Sequence, residues 1–152
     1  QLAFELSPIN YGDHRIKLKE GVDTLGENTW QTIEIEAKPL DNVIQGIDGP
    51  LAVKIDVQGA EPFVISGGEK LLSKVDFMII EFSPYWMTRM GSNPHTIIKY
   101  ISSFTQVKMA DPNSFEGTTY SGDEIEAKLT EIIDNIDNYP VRCYWDLMAW
   151  NQ

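Results

Sequence analysis

The chain has 152 residues, 42% hydrophobic and 11% aromatic, with 12 basic against 23 acidic side chains and a formal net charge of −11. That length and apolar content are enough for one domain with a real core, residues 1–152, and they exclude general disorder. The charge argues against a nucleic-acid surface, which requires clustered Lys and Arg, and disfavours docking on an anionic membrane, so neither is expected as a partner.

Cys143 is the only cysteine, so no internal disulfide can form and a reducing, cytoplasmic setting is expected. No apolar run reaches the roughly 20 residues of a membrane helix, and no basic-then-apolar leader is visible. The chain starts at Gln1, which suggests a processed chain or a piece of a longer protein.

In chain order, residues 2–6 predict a strand, and 7–13 are rich in turn formers. Residues 15–19 alternate charged and apolar side chains, the period of a half-exposed strand, and 31–36 alternate again with Ile33 and Ile35 on one face. With a loop at 20–28 between them, these segments predict a hairpin or small antiparallel layer. Residues 40–44 read as a short helix with Asp41 near its start, and 46–50 as a turn.

Residues 51–57 form a short, mostly apolar run, the pattern of a strand buried on both faces of a parallel sheet. Gln58-Gly59 ends it in a turn, and Ala60-Glu61-Pro62 opens a helix, with proline tolerated in the first turn. A further short helix is expected at 66–73 and a second buried strand at 75–81. If these strands are parallel neighbours, Asp56 and Glu81 share the carboxyl edge, where open α/β sheets bind ligands. Downstream, the pattern predicts a helix from Pro94, a strand at 106–110, a loop at 111–122, an amphipathic helix at 123–133 and a closing strand at 141–150.

The series Lys54-Ile-Asp-Val-Gln-Gly-Ala-Glu61, then Gly67-Gly68, Leu71-Leu72 and Ile79-Ile-Glu81, resembles the second half of an FkbM-type methyltransferase. The resemblance covers residues 10–81 well and the rest weakly. It implies an α/β fold with a partial Rossmann-like methyltransferase sheet, preceded here by the antiparallel hairpin. It also implies S-adenosyl-L-methionine as cofactor of the full-length protein, and methyl transfer to a hydroxyl of a small molecule or sugar. One departure is plain: this chain has Gln58 where the family usually carries glutamate.

A Rossmann-like cofactor site needs a glycine-rich turn after its first strand and an acid for the ribose. No Gly-x-Gly follows a strand candidate here, so both are expected upstream of residue 1. Glu5 as the ribose ligand is the alternative. The isolated chain is therefore expected to be inactive and to hold the cofactor poorly. The rival readings are a non-catalytic α/β interaction or assembly module, and a different α/β enzyme that shares only the strand-end acid.

Asp56 is the leading candidate, beside the methyl donor or the acceptor hydroxyl; its structural alternative is a cap for the following helix. Glu61 is a further catalytic candidate, as a substrate or metal contact on the same edge, with favourable charge at a helix start as its structural alternative. Glu81 is the third catalytic candidate, ending an apolar strand where a carboxylate is costly unless paired or wet. Tyr85 and Trp86 are candidates for an acceptor wall, and His95 for a base or substrate contact. Lys54 is expected to pair with Asp56, and His14 receives no role. Asp56, Glu61 and Glu81 could hold a hard cation, but no dense acidic spacing supports it, and no metal is expected. Self-association is expected through a sheet edge left open where upstream strands would pair.

Overall fold

A computed structural model describes residues 1–17, 26, 29–111, 114–140 and 142–151. They fall into two compact units, residues 1–38 and 39–152. The first is a three-stranded antiparallel sheet of β1 (Leu2–Leu6), β2 (Arg15–Ile16) and β3 (Gln31–Ile35), in the order β2-β1-β3. The expected hairpin is present. Its turn is held by short polar groups: the Asn10 amide donates to Ser7 Oγ at 3.2 Å, and the Ser7 amide donates to His14 Nδ1 at 2.9 Å. His14 thus has a structural role that its position in the sequence did not suggest.

Glu5 faces Arg15 across the β1–β2 pair, and both are buried. A carboxylate buried opposite a guanidinium within an antiparallel pair is not a free ribose ligand at the end of a parallel strand, so that alternative for Glu5 is withdrawn. The 20–28 loop, Gly26 apart, and the last two residues of the 15–19 strand lie outside the described residues.

The second unit contains α1 (Leu40–Val43), β4 (Ala52–Ile55), α2 (Glu61–Gly67), α3 (Glu69–Leu72), β5 (Phe77–Phe82) and α4 (Pro84–Met90). It continues with α5 (His95–Ile101), β6 (Gln106–Ala110), β7 (Gly117–Tyr120), α6 (Gly122–Asp134) and β8 (Trp145–Trp150). Its sheet runs β4-β5-β8-β6-β7. β4 and β5 are parallel, as expected, and β8 runs antiparallel to both β5 and β6 between them. The second unit is a mixed α/β fold.

One face of this sheet carries the core. Met78, Ile80 and Phe82 of β5 and Leu147 and Ala149 of β8 are fully buried with Ile97 and Ile101 of α5 and Ile125, Leu129 and Ile132 of α6. At ~1.5–3 kcal/mol for each large apolar side chain, this face is the main source of stability. The opposite face, with Ile79, Glu81, Asp146 and Met148, is half-buried. The apolar stripe of α6 therefore lies where its periodicity put it. Its start is fixed by a capping box in which Ser121 and Glu124 each bond the other's backbone.

Three expectations need correction. β4 is not buried on both faces: Ala52 and Lys54 are exposed, because β4 is an edge strand of its sheet. The 111–122 loop contains β7, which pairs antiparallel with β6. Gly117 is required there, since a Cβ would collide with the Met109 carbonyl oxygen. The closing strand begins at Trp145, because Arg142 takes a φ of 67° and the Cys143 amide donates to the Pro140 carbonyl at 3.0 Å, neither of which a strand permits. Among the described residues, no helix is long and apolar enough to cross a membrane.

Candidate functional site

The turn from β4 into α2 builds the site. Gln58 and Gly59 both take positive φ, 57° and 96°. Gly59 has a second constraint: a Cβ would stand 2.5 Å from the Trp86 carbonyl oxygen and 2.7 Å from its carbon. Only glycine lets the backbone of α4 lie against this turn. Ser92 fastens the contact, its hydroxyl within hydrogen-bond reach of the Gly59 carbonyl at 2.8 Å and the Met87 carbonyl at 3.1 Å.

Glu61, the first residue of α2, folds back under the turn. Its Oε1 accepts from the Val57 amide at 2.8 Å and from the Gly59 amide at 3.3 Å. The residue is fully buried, and its Oε2 has no hydrogen-bond partner among the described residues. Asp56 is not a helix cap, because α2 is capped at Ala60 without any side-chain bond. Its carboxylate instead meets Lys54 Nζ at 3.1 Å and Gln58 Nε2 at 3.2 Å. The expected Lys54–Asp56 pair is formed.

Glu81, one residue before the end of β5, faces the half-buried side of the sheet. Directly opposite, across the antiparallel pair with β8, stands Asp146. Like charges in such positions are destabilising. Asp56, Glu61 and Glu81 each bring one carboxylate oxygen to within 4.8 Å of the others. Two neighbouring parallel strands and one helix start thus deliver three acids to one point of the carboxyl edge.

Electrostatics follow from that crowding. Burial, and after it the charges of Asp56, Glu61 and Asp146, push the Glu81 carboxyl up from its ordinary 4.5 to about 8, against a smaller opposing pull from Lys54. Burial also raises Glu61, although the backbone amides of the turn favour its ionised form. Asp146 is raised by burial and by Asp56, with Lys54 opposing. Lys54 is raised, first by its hydrogen bond to Asp56. Tyr144 is raised by burial and then by the fields of Glu81, Asp146, Asp111 and Asp56.

The remaining candidates divide. Tyr85 and Trp86 lie in α4, edge to face at 5.2 Å, with the Trp86 main chain against Gly59. The Trp86 ring is already engaged, with the Arg89 guanidinium 5.1 Å and that of Arg142 5.7 Å from its centroid. His95 is exposed at the start of α5, where its amide donates to Asn93 Oδ1 at 3.0 Å. No described contact joins its ring to the carboxylates. Asp146 and Tyr144 escaped sequence reasoning. The one available signal was an acid inside the apolar run of residues 145–150, and it does not say which strand that acid will face.

Beside the cluster, a groove of about 460 Å³ follows β4 from Leu51 to Val57, lined also by Leu40, Ile44, Ile47 and Val64. It is apolar except for Lys54 and Asp56. A family model, the methyltransferase FkbM domain, matches residues 5–108, a span that includes Asp56, Glu61 and Glu81 and stops before Tyr144 and Asp146. No curated protein and no solved structure matches the chain.

Proposed function

The chain belongs to the FkbM methyltransferase domain family, and on that premise we propose that its carboxylate cluster serves the acceptor in an O-methyl transfer from S-adenosyl-L-methionine. The observation that carries this reading is the convergence of Asp56, Glu61 and Glu81 at the carboxyl edge of β4 and β5. An acceptor hydroxyl, on a small molecule or sugar, must lose its proton as its oxygen attacks. Glu81 and Asp56 are the groups placed to hold that hydroxyl and receive the proton, a contribution of roughly 10²–10⁴-fold. The half-buried setting limits water at the reacting oxygen.

The donor supplies an electrophilic methyl group. Asp56 and the adjoining groove suit its reactive end. Its adenosine end would need a glycine-rich turn after a strand, and no Gly-x-Gly follows a strand among the described residues. That lack and the Gln58 departure favour the second reading, an α/β assembly module without catalysis. The β4 edge is the surface through which either form would self-associate. A reducing cytoplasmic setting is proposed on the strength of the unpaired Cys143.

Two measurements test the reading. Isothermal titration of S-adenosyl-L-methionine into the chain is expected to show no binding tighter than the millimolar range; tight binding would mean the described residues cradle the donor after all. In a methyl-transfer assay over hydroxylated small molecules and sugars, with the protein at its natural length, Asp56→Asn and Glu81→Gln are each expected to reduce turnover at least a hundredfold with folding intact. Unchanged turnover in both variants would remove the carboxylates from the reaction, and no turnover in the parent would leave the assembly reading.

A further inference from the structure

We propose that Asp56, Glu61 and Glu81 together form a binding site for a hard divalent cation of the calcium or magnesium type. The argument is geometric first. The three carboxylates offer oxygens within 4.8 Å of one another. Two ligands of one ion can stand no farther apart than twice the metal–oxygen distance, roughly 4.6–5.2 Å for calcium and about 4.2 Å for magnesium. The observed span is close to what calcium requires, and magnesium would need the three carboxylates drawn closer together.

The second observation is independent of the clustering. Glu61 is fully buried, and the Val57 and Gly59 amides hold its Oε1, yet Oε2 has no hydrogen-bond partner among the described residues. A buried carboxylate oxygen with nothing to accept from costs free energy that a bound ion would recover. The amides that hold Oε1 fix the whole Glu61 carboxylate, and Gly59 packed against Trp86 fixes the turn that carries those amides.

The surroundings complete the case. Asp146 adds a fourth carboxylate beside Glu81. Lys54 Nζ, 3.1 Å from Asp56 Oδ2, and Gln58 Nε2, 3.2 Å from Oδ1, already hold Asp56, so it is the ligand that must rearrange. Oxygen ligands alone, with no His or Cys among them, select a hard ion. Binding as such does not depend on methyl transfer. The consequence for catalysis, an ion that fixes the acceptor oxygen beside Glu81, rests on the function proposed above.

The test titrates CaCl2 and MgCl2 separately into the 152-residue chain, with no donor or acceptor present, by calorimetry and by melting temperature. The expected result is one ion per chain, a higher melting temperature with the ion, and calcium tighter than magnesium. Glu61→Gln and Glu81→Gln should each weaken binding at least tenfold while melting no lower than the parent in chelator. Glu126→Gln, on the exposed acidic face of α6, should bind as the parent does and so exclude general screening of the net charge. If Glu61→Gln loses its fold, Glu81→Gln decides alone. Absence of heat and of a melting shift at millimolar ion, or full affinity in Glu81→Gln, would overturn the proposal. Intact binding in a protein that transfers no methyl group would overturn only the proposed function.

Discussion

Two acids at helix starts in the second unit make opposite use of the same backbone groups. At the start of α3, Asp41 from α1 accepts from the Lys70 amide at 3.0 Å and the Leu71 amide at 2.8 Å, one with each oxygen. Its pKa is lowered, first by those backbone bonds. At the start of α2, Glu61 accepts two amides with one oxygen, the other has no hydrogen-bond partner among the described residues, and burial raises its pKa. Hydrogen bonds to a carboxylate favour its charge and desolvation opposes it; which wins depends on where the leftover oxygen points. Asp41 is spent on the fold. Glu61 has an oxygen to spare.

The harshest way to break that contrast is to remove the turn that holds Glu61. Gly59→Ala would force a Cβ against the Trp86 carbonyl at a φ of 96°. It should cost about 2–4 kcal/mol in urea unfolding and abolish cation binding together with it. A change below about 0.5 kcal/mol would mean that α4 does not lie where it is described.

Next in size is the dependence on pH, where the two regions should have opposite signs. Glu81 has a folded pKa of about 8 against an ordinary 4.5, so the folded state binds more protons between those values. Stability should therefore fall as pH rises through that window in cation-free buffer, at up to ~1.4 kcal/mol per pH unit for this group alone. The charges of Asp56, Glu61 and Asp146 face Glu81 and raise it, while that of Lys54 opposes them. Glu81→Gln should flatten the slope; an unchanged slope would remove Glu81 as its source. Asp41, with its folded pKa below 3.8, contributes stability above that pH which is lost as pH falls through the folded value. Asp41→Asn should thus narrow the acid-side loss and leave the neutral window untouched.

The smallest effect sharpens the comparison further. The Gln58 amide donates to Asp56, which a carboxylate there could not do. Gln58→Glu should lower the melting temperature slightly at neutral pH in chelator and tighten calcium binding several-fold. A gain in stability without the ion would contradict the crowding described for the cluster.

Much of this was legible along the chain because it depends on local pattern. Residues 51–57 carry an acid one residue before their end and 75–81 end in one, and parallel pairing of consecutive strands puts Asp56 and Glu81 on one edge. The stripe of Ile125, Leu129 and Ile132 fixed α6, although Ser121-x-x-Glu124 would have placed its start more closely. What failed to read was non-local. Nothing in residues 145–150 says that β8 inserts between β5 and β6, yet that insertion sets Asp146 opposite Glu81. Gly59 reads as a turn former, while its stricter duty comes from Trp86, which approaches from after β5. Gly117 hides a strand inside a loop-like composition for the same reason: the contact it permits lies in another segment.

The account turns on three acids sharing one crowded, half-dry place. A carboxyl-detected ¹³C titration of Glu81 in chelator addresses it most directly. The account predicts a midpoint near 8 that falls when Asp56 is replaced by asparagine. A midpoint at the ordinary 4.5, unmoved by that substitution, would mean that the acids do not meet.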